Sequence, residues 1–385
     1  MSVTAVSGQN LSSTILANRI VIDMSAAIAW LEPDATSLLS ILQQMKKEPA
    51  KSFKVEWLSR QPLPYYIQAA AAGDASGAGS LTITDYAFLR VGDVLINDRT
   101  NEVIRVTATP TTSTVAVVRG AGTTHAAILA SDRLYRAGSA EEEGDTSPVS
   151  RGIKDDTDYN YTQIFKNTAS QSRTLSQTKL YGEPNRATEE KWHGMEHKKA
   201  LERAICWGEL KTTTGPGGDP LRMTKGLFSD AGYIQTNRFD AVAGITEDDF
   251  NEYLEDIFEY GSDTKIGFGG KVALRTLNAF AKDKLQVIHP SGDKGKLNYG
   301  ISIRLWQGAD GSTTQLIKAK QWKGPTKARM LGVVDLKNIR LRPLQDTVLK
   351  KDIQENDRDG WKDQWLTEVA LECKLEQTHG LIYNM

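Results

Sequence analysis

Cysteine is nearly absent. Cys206 and Cys373 stand far apart and neither belongs to a Cys-x-x-Cys pair, which excludes a disulfide framework and predicts two small buried hydrophobes in a reducing compartment. Net charge is nearly absent too. The 47 basic and 48 acidic residues leave -1, so no overall field draws a polyanion, and the class of dedicated nucleic-acid binders is disfavoured. Apolar runs stay well short of the ~18 residues that a membrane-spanning helix needs. The opening stretch MSVTAVSGQNLSSTILANRI carries no basic-then-apolar order with a cleavage signature, so no secretory signal is expected and the reading is of a soluble product.

What remains is ordinary globular composition, 39% hydrophobic and 25% charged, in a chain of 385 residues, too long for one core. Two or three packing units of an α+β class are expected. The first fifty residues read as an arm. Within it Leu38, Ile41, Leu42 and Met45 recur at helical spacing, giving a stripe with nothing local to cover it. MKKEPAKSFK follows, basic and broken by Pro49, and then Phe53, Val55 and Trp57 alternate as in a strand. From Leu81 to Arg136 short strand patterns (LTI, DVLI, EVIRV, TVAVV, DRLYR) alternate with turn clusters, the signature of a compact β module. A second aromatic strand pattern, Tyr159 to Phe165, lies beyond it. If it pairs with Phe53 to Trp57, the module is an insertion at the end of a two-stranded extension.

Ala187 to Leu210 is free of Pro and rich in Glu, Lys, Arg and Ala, which predicts a long helix, and GPGGDP then reads as a linker. Thr246 to Asp249 has the form of a capping box, before a helix with Phe250, Leu254, Ile257 and Phe258 on one face and acids on the other. A second helix carries Leu274, Leu277, Phe280 and Ala281. Strand patterns at Ile301 to Trp306 and Thr314 to Ala319 complete an α+β layer, and MLGVVDLKNIRLRPL and WLTEVALECKLEQ supply two more strand-like runs.

Motifs with chemical promise each meet a plainer reading. His193 and His197 in HGMEH stand one helical turn apart, as paired metal ligands would. The zincin order, however, needs Glu where Gly194 stands, and no third ligand is evident, so a helix face is the preferred reading. RGAGTTHA offers glycines and hydroxyls as a phosphate cradle does, but without the P-loop Lys, and is read as a turn between strands. No G-x-S-x-G nucleophile elbow is present, and no cofactor is expected. Lys46, Lys47, Lys51 and Lys54 form one basic cluster. Lys318, Lys320, Lys323, Lys327 and Arg329 form another with Trp322 among them, open to nucleic acid, to an acidic protein partner, or to solvent. The acidic run Glu141, Glu142, Glu143 in GSAEEEGDTSP is either a solvated hinge or a contact with another copy.

Several stretches taken in order, IVIDMSAAIAWLEPDATSLLSIL, FKVEWL, FLRVGDVLINDRTNEVIRVTA, TVAVVRGAGTTHAAI, GSAEEEG, NYTQIF, TKLYGEP, FNEYLEDIFEYGSDTK and VVDLKNIRLRPLQDTVLKKDIQ, together resemble the major head proteins of tailed bacteriophages, in the group with an added β module in the extended loop. The resemblance implies the Hong Kong 97-type capsid fold. It places an N-terminal arm at 1–50 and an extended loop at 51–170 with the inserted module at 81–137. A peripheral domain with a spine helix follows at 171–225, an axial domain at 226–328, and a return to the peripheral domain at 329–385. It implies a virion protein without catalysis, assembled in the host cytoplasm as hexamers and pentamers of itself. A separate scaffolding protein, a portal and a cement protein are the candidate partners; packaged DNA is touched only non-specifically, and no membrane is involved. Some relatives seal their shells with Lys-Asn isopeptide bonds, and the sequence offers no basis for assigning such a pair.

In such a shell, contacts between copies are expected from the arm stripe Leu38, Ile41 and Leu42, and from Glu141 to Glu143 facing Lys46, Lys47, Lys51 and Lys54 of a neighbour. The rival readings are a capsid decoration or adhesion protein built on the β module, and a metal-dependent hydrolase using His193 and His197.

Overall fold

The computed structural model describes residues 36–45, 47–60, 62–70, 79–144, 146–148, 150, 152–178, 185–242, 244–281, 305–308 and 311–385. Most of the expected arm, Lys46, and the strand pattern at 301–304 lie outside the described residues. The chain divides into two compact units, one formed by Leu58–Thr157 and the other by Met1–Trp57 with Asp158–Met385. Along the chain, α1 (Ser37–Gln44) and β1 (Lys54–Ser59) come first.

The smaller unit holds β2 (Tyr66–Gln68), β3 (Ser80–Thr82), β4 (Asp93–Asn97), β5 (Val103–Val106), β6 (Thr114–Val118) and β7 (Arg133–Ser139). They form one sheet in the order β2-β7-β4-β5-β6-β3, with every pairing antiparallel. An antiparallel bridge between Ala69 and Ile83 joins the ends of β2 and β3, the two edge strands. The sheet thus closes on itself, and the backbone groups that an open edge would leave unpaired are satisfied. Alternation drives this closure: β4 buries every second residue, and Leu81, Leu95, Ile104, Val115, Ile128 and Leu134 meet inside. The sequence pattern starts this sheet at Leu81, whereas β2 joins it from farther upstream.

The larger unit continues with β8 (Asp156–Tyr161), which neighbours β1 in a two-stranded sheet, and β9 (Gln163–Ser172). The expected aromatic pairing therefore forms through Tyr159 to Tyr161, while Gln163 to Phe165 enters a different sheet. Next come α2 (Arg173–Gln177), α3 (Asn185–Trp207), and the hairpin β10 (Lys211–Thr214) and β11 (Pro220–Met223), in which GPGGDP is the connecting turn and not a linker. The remaining elements are β12 (Arg238–Asp240), α4 (Glu247–Phe258), β13 (Thr264–Gly269), α5 (Lys271–Ala281), β14 (Leu305–Gln307), β15 (Thr313–Lys318), β16 (Leu331–Val334), β17 (Ile339–Lys350), β18 (Gly360–Cys373) and β19 (Gly380–Tyr383).

Two sheets organise this unit. The first, β17-β18-β9, is antiparallel and lies against α3. Gly194 makes the approach close: a Cβ there would stand 3.0 Å from the Trp365 ring, whose Nε1 donates to the Glu190 carbonyl at 2.9 Å. The second, β12-β19-β16-β13-β15-β14, is mixed, with parallel pairs β12/β19 and β13/β15. Phe250, Leu254 and Ile257 of α4 and Ala273 and Leu277 of α5 share a core with Leu316, Leu331, Val333 and Ile382 of that sheet. A separate core gathers Phe268, Val334 and Leu381 with Phe228, Ile205 and Trp322. The capping box is as the sequence predicts: the Asp249 N–H donates to Thr246 Oγ1 at 3.2 Å and the Thr246 N–H to Asp249 Oδ2 at 2.9 Å.

Candidate functional site

The arm stripe is covered, and this corrects the expectation drawn from sequence. Leu38 and Leu42 are 2% and 1% exposed and belong to the core that holds Leu201 and Ile205 of α3 and Leu341 of β17; Ile41 is half-buried against it. The cover comes from residues far along the chain, which a local pattern does not reveal. α1 also lacks its own cap, since Thr36 makes no side-chain capping bond. Glu202 of α3 supplies one instead, its Oε2 accepting from the Leu39 N–H at 3.2 Å, with the N–H groups of Ser37 and Leu38 also directed to it. Burial pushes the Glu202 carboxyl up to about 7, and the three N–H groups only partly oppose that shift. Beyond α1 the chain runs beside β17, with the Ala50 N–H donating to Pro343 O at 2.9 Å.

Two of the described lysines in the first basic cluster are engaged inside the chain. Lys47 pairs with Asp346 at 2.8 Å, and Lys54 pairs with Glu56 while lying 4.4 Å above the Tyr159 ring. Lys51 is exposed. The acidic run begins where β7 ends. Glu141 approaches Arg90 at 3.7 Å, and Glu142 and Glu143 are exposed.

HGMEH lies within α3, and its imidazoles are held by side chains of the neighbouring sheet. His193 Nδ1 meets Asn167 Oδ1 at 2.8 Å, and His197, 1% exposed, meets Thr367 Oγ1 at 2.7 Å through Nε2, with burial lowering its pKa. Among the described residues no group of three metal-ligating side chains gathers. RGAGTTHA is the predicted turn, and its cradle is already filled by a carboxylate of the chain itself. Arg119 grips Glu102 through Nε at 2.7 Å and Nη2 at 2.6 Å, and the N–H groups of Gly120 and Ala126 donate to the same carboxylate at 3.1 and 3.2 Å. Burial alone would raise the Glu102 pKa; the guanidinium and the N–H groups hold it below the usual range.

In the second basic cluster Trp322 is only 3% exposed, packed with Trp207 and Phe228, so it offers no face on which a base could stack. Sequence reasoning did not anticipate a buried cation at the end of α4. Lys265 of β13, 1% exposed, donates to the carbonyls of Ile257, Tyr260 and Thr378, completing the C-terminal end of α4 where the helix dipole favours positive charge. Burial lowers its pKa to about 8. Beside it His379 Nδ1 accepts from the Asp335 N–H at 3.0 Å, and burial lowers that imidazole to about 4. A lone Lys in an apolar strand was the only available signal. Its partners are backbone carbonyls, and those leave no mark in sequence.

These are the bonds of a framework, with charged groups either locked inside it or spread over surfaces. A sequence profile of the SU10 major capsid proteins matches residues 3–385. The chain belongs to the SU10 major capsid protein family. It is also similar to a major capsid protein of Pseudomonas phage PaMx41, 28% identical over 251 residues; the match covers 63% of this chain and 58% of that relative, so the chain spans less than two thirds of the relative's length. In shape it is similar to the capsid of an empty GTA particle computed with C5 symmetry, at a TM-score of 0.50 and 8% identity over 97% of each chain. The fold of the family member described here is the α+β Hong Kong 97-type capsid fold.

Proposed function

We propose that this chain is the shell-forming subunit of a bacteriophage head, associating with copies of itself into pentamers and hexamers that enclose DNA as part of the virion. The observation that carries the reading is the family match across residues 3–385. The C5 symmetry of the structurally similar GTA capsid supports a ring of five as one of its assemblies. In this role residues 1–50 are the arm, 51–170 the extended loop carrying the β module that holds β2 to β7, 171–225 the peripheral domain with α3 as spine, 226–328 the axial domain, and 329–385 the return. Assembly in the host cytoplasm draws on a separate scaffolding protein, a portal and a cement protein, and contact with DNA is non-specific. The chain has no catalytic step to perform: the bonds of His193 and His197 to Asn167 and Thr367 speak against a metal-dependent hydrolase.

Repeated weak contacts suffice for such a shell, because closure multiplies them. Glu142 and Glu143 set register against Lys51 of a neighbour, a role to which Glu141, Lys47 and Lys54 contribute less because each has a charged partner within its own chain. Lysine at all three glutamates is expected to reduce shell yield in low salt, and an unchanged yield removes this contact. The function itself is tested by sedimentation of the full chain with and without a scaffolding protein. Fast-sedimenting closed particles are expected, and a monomer under every condition would overturn the reading.

A further inference from the structure

Charge of each sign is segregated onto separate faces of the larger unit. From Phe239 to Thr264 there is no Lys or Arg, and the outer side of α4 and the residues after it expose Asp248, Glu252, Glu255, Asp256 and Glu259. From Gly311 to Val334 there is no acid, and none in α5. Lys271 at the start of α5, Lys318 and Lys320 at the end of β15, and Lys327 and Arg329 in the following turn are exposed. They converge on one corner: the Ala319 N–H donates to Gly269 O at 2.9 Å, and the Gly270 N–H to Met330 O at 3.0 Å.

Both faces work against their own surroundings. Acids spaced three and four apart along α4 and its C-cap, Glu252, Glu255, Asp256 and Glu259, repel one another, and the last turn holds acids but no base of its own, the cation at that helix end being Lys265, buried and bonded to carbonyls. Lys271 stands in the first turn of α5, which holds no acid, at the end where the dipole disfavours positive charge. Among the described residues Glu252, Glu255, Asp256, Glu259, Lys318, Lys320 and Arg329 enter no ion pair. A charge arrangement that is unfavourable in one chain becomes favourable when an opposite face is brought to it.

We propose that the acidic face of α4 docks head to tail on the basic corner formed by α5, the end of β15 and the 327–329 turn of a second copy. This rests on the shell-subunit reading and names one of its contacts. A two-fold contact centred on either face alone would set like charges together, whereas a head-to-tail contact, the kind that generates rings, sets opposite charges together.

The test uses three full-length variants, E252K/E255K/E259K, K318E/K320E/R329E and the combination of all six, each first checked for parental thermal unfolding as the unassembled chain. Each triple variant is expected to lower the assembled fraction at least about tenfold at low ionic strength, and the combined variant to restore it, because exposed charge contacts set orientation and encounter. Triple variants that assemble like the parent, or a correctly folded combined variant that stays unassembled, overturn the contact while parental shells keep the subunit reading intact. A K318E/K320E/R329E chain that assembles normally but loses retention on DNA would assign the basic corner to nucleic acid and also overturn it. A parent that never assembles overturns the subunit reading, and this contact with it.

Discussion

The docking of α1 is predicted to depend on pH through a single side chain. Glu202 sits under the first turn of α1, and its carboxyl is raised by burial from the ordinary 4.5 to about 7. A raised carboxyl pKa means that the folded chain holds a proton the unfolded chain has released. The stabilisation is therefore fully present below the ordinary value and is lost as pH rises through about 7. The separation of the two values corresponds to about 3 kcal/mol in all, most of which is lost between about pH 5 and pH 8. Glu202→Gln keeps an oxygen that can accept from the Leu39 N–H but removes the titration. Urea unfolding of the unassembled chain, followed by tryptophan fluorescence across that range, should show the stability difference between E202Q and parent swinging by about 2–3 kcal/mol in favour of E202Q as pH rises. His379 and Lys265 also titrate abnormally, but they are common to both proteins and cancel in the difference. α1 has no ionisable residue, and on α3 the neighbouring charges Lys198, Lys199 and Arg203 are likewise unchanged. A difference that stays flat with pH would refute the reasoning.

Three further outcomes are expected. Leu42→Ala should cost about 2–5 kcal/mol in urea unfolding, because the methyl groups it removes are buried, whereas Lys51→Ala on the surface should stay within about 0.5 kcal/mol. Glu102→Ala should destabilise the full chain by about 3–5 kcal/mol in the same assay, since it leaves the Arg119 guanidinium buried without its counter-charge. Purified protein exposed to zinc and then desalted should carry no stoichiometric metal by elemental analysis, and H193A/H197A should leave the measured content unchanged.

Local signals were readable where the residues that make a feature lie close in sequence. The capping box of α4, the apolar stripes of α4 and α5, and the turn nature of RGAGTTHA all depend on neighbours within a few positions. The smaller unit was readable as β structure from its short alternating runs, yet the part played by β2 was hidden, because its partners β7 and Ile83 are set by closure of the sheet and not by adjacency. The covered arm stripe was misread for the same reason: Leu201 and Leu341 meet α1 across long stretches of chain. Gly194 shows the limit most simply. Its place in HGMEH looks like a defective metal motif until the Trp365 ring is found 3.0 Å from where its Cβ would be.

The most direct measurement is imaging by electron microscopy of whatever the full chain forms when expressed with a scaffolding protein. Closed shells with five-fold vertices are predicted. A uniform population of separate molecules, well folded and unable to associate at any salt or protein concentration, would contradict the account.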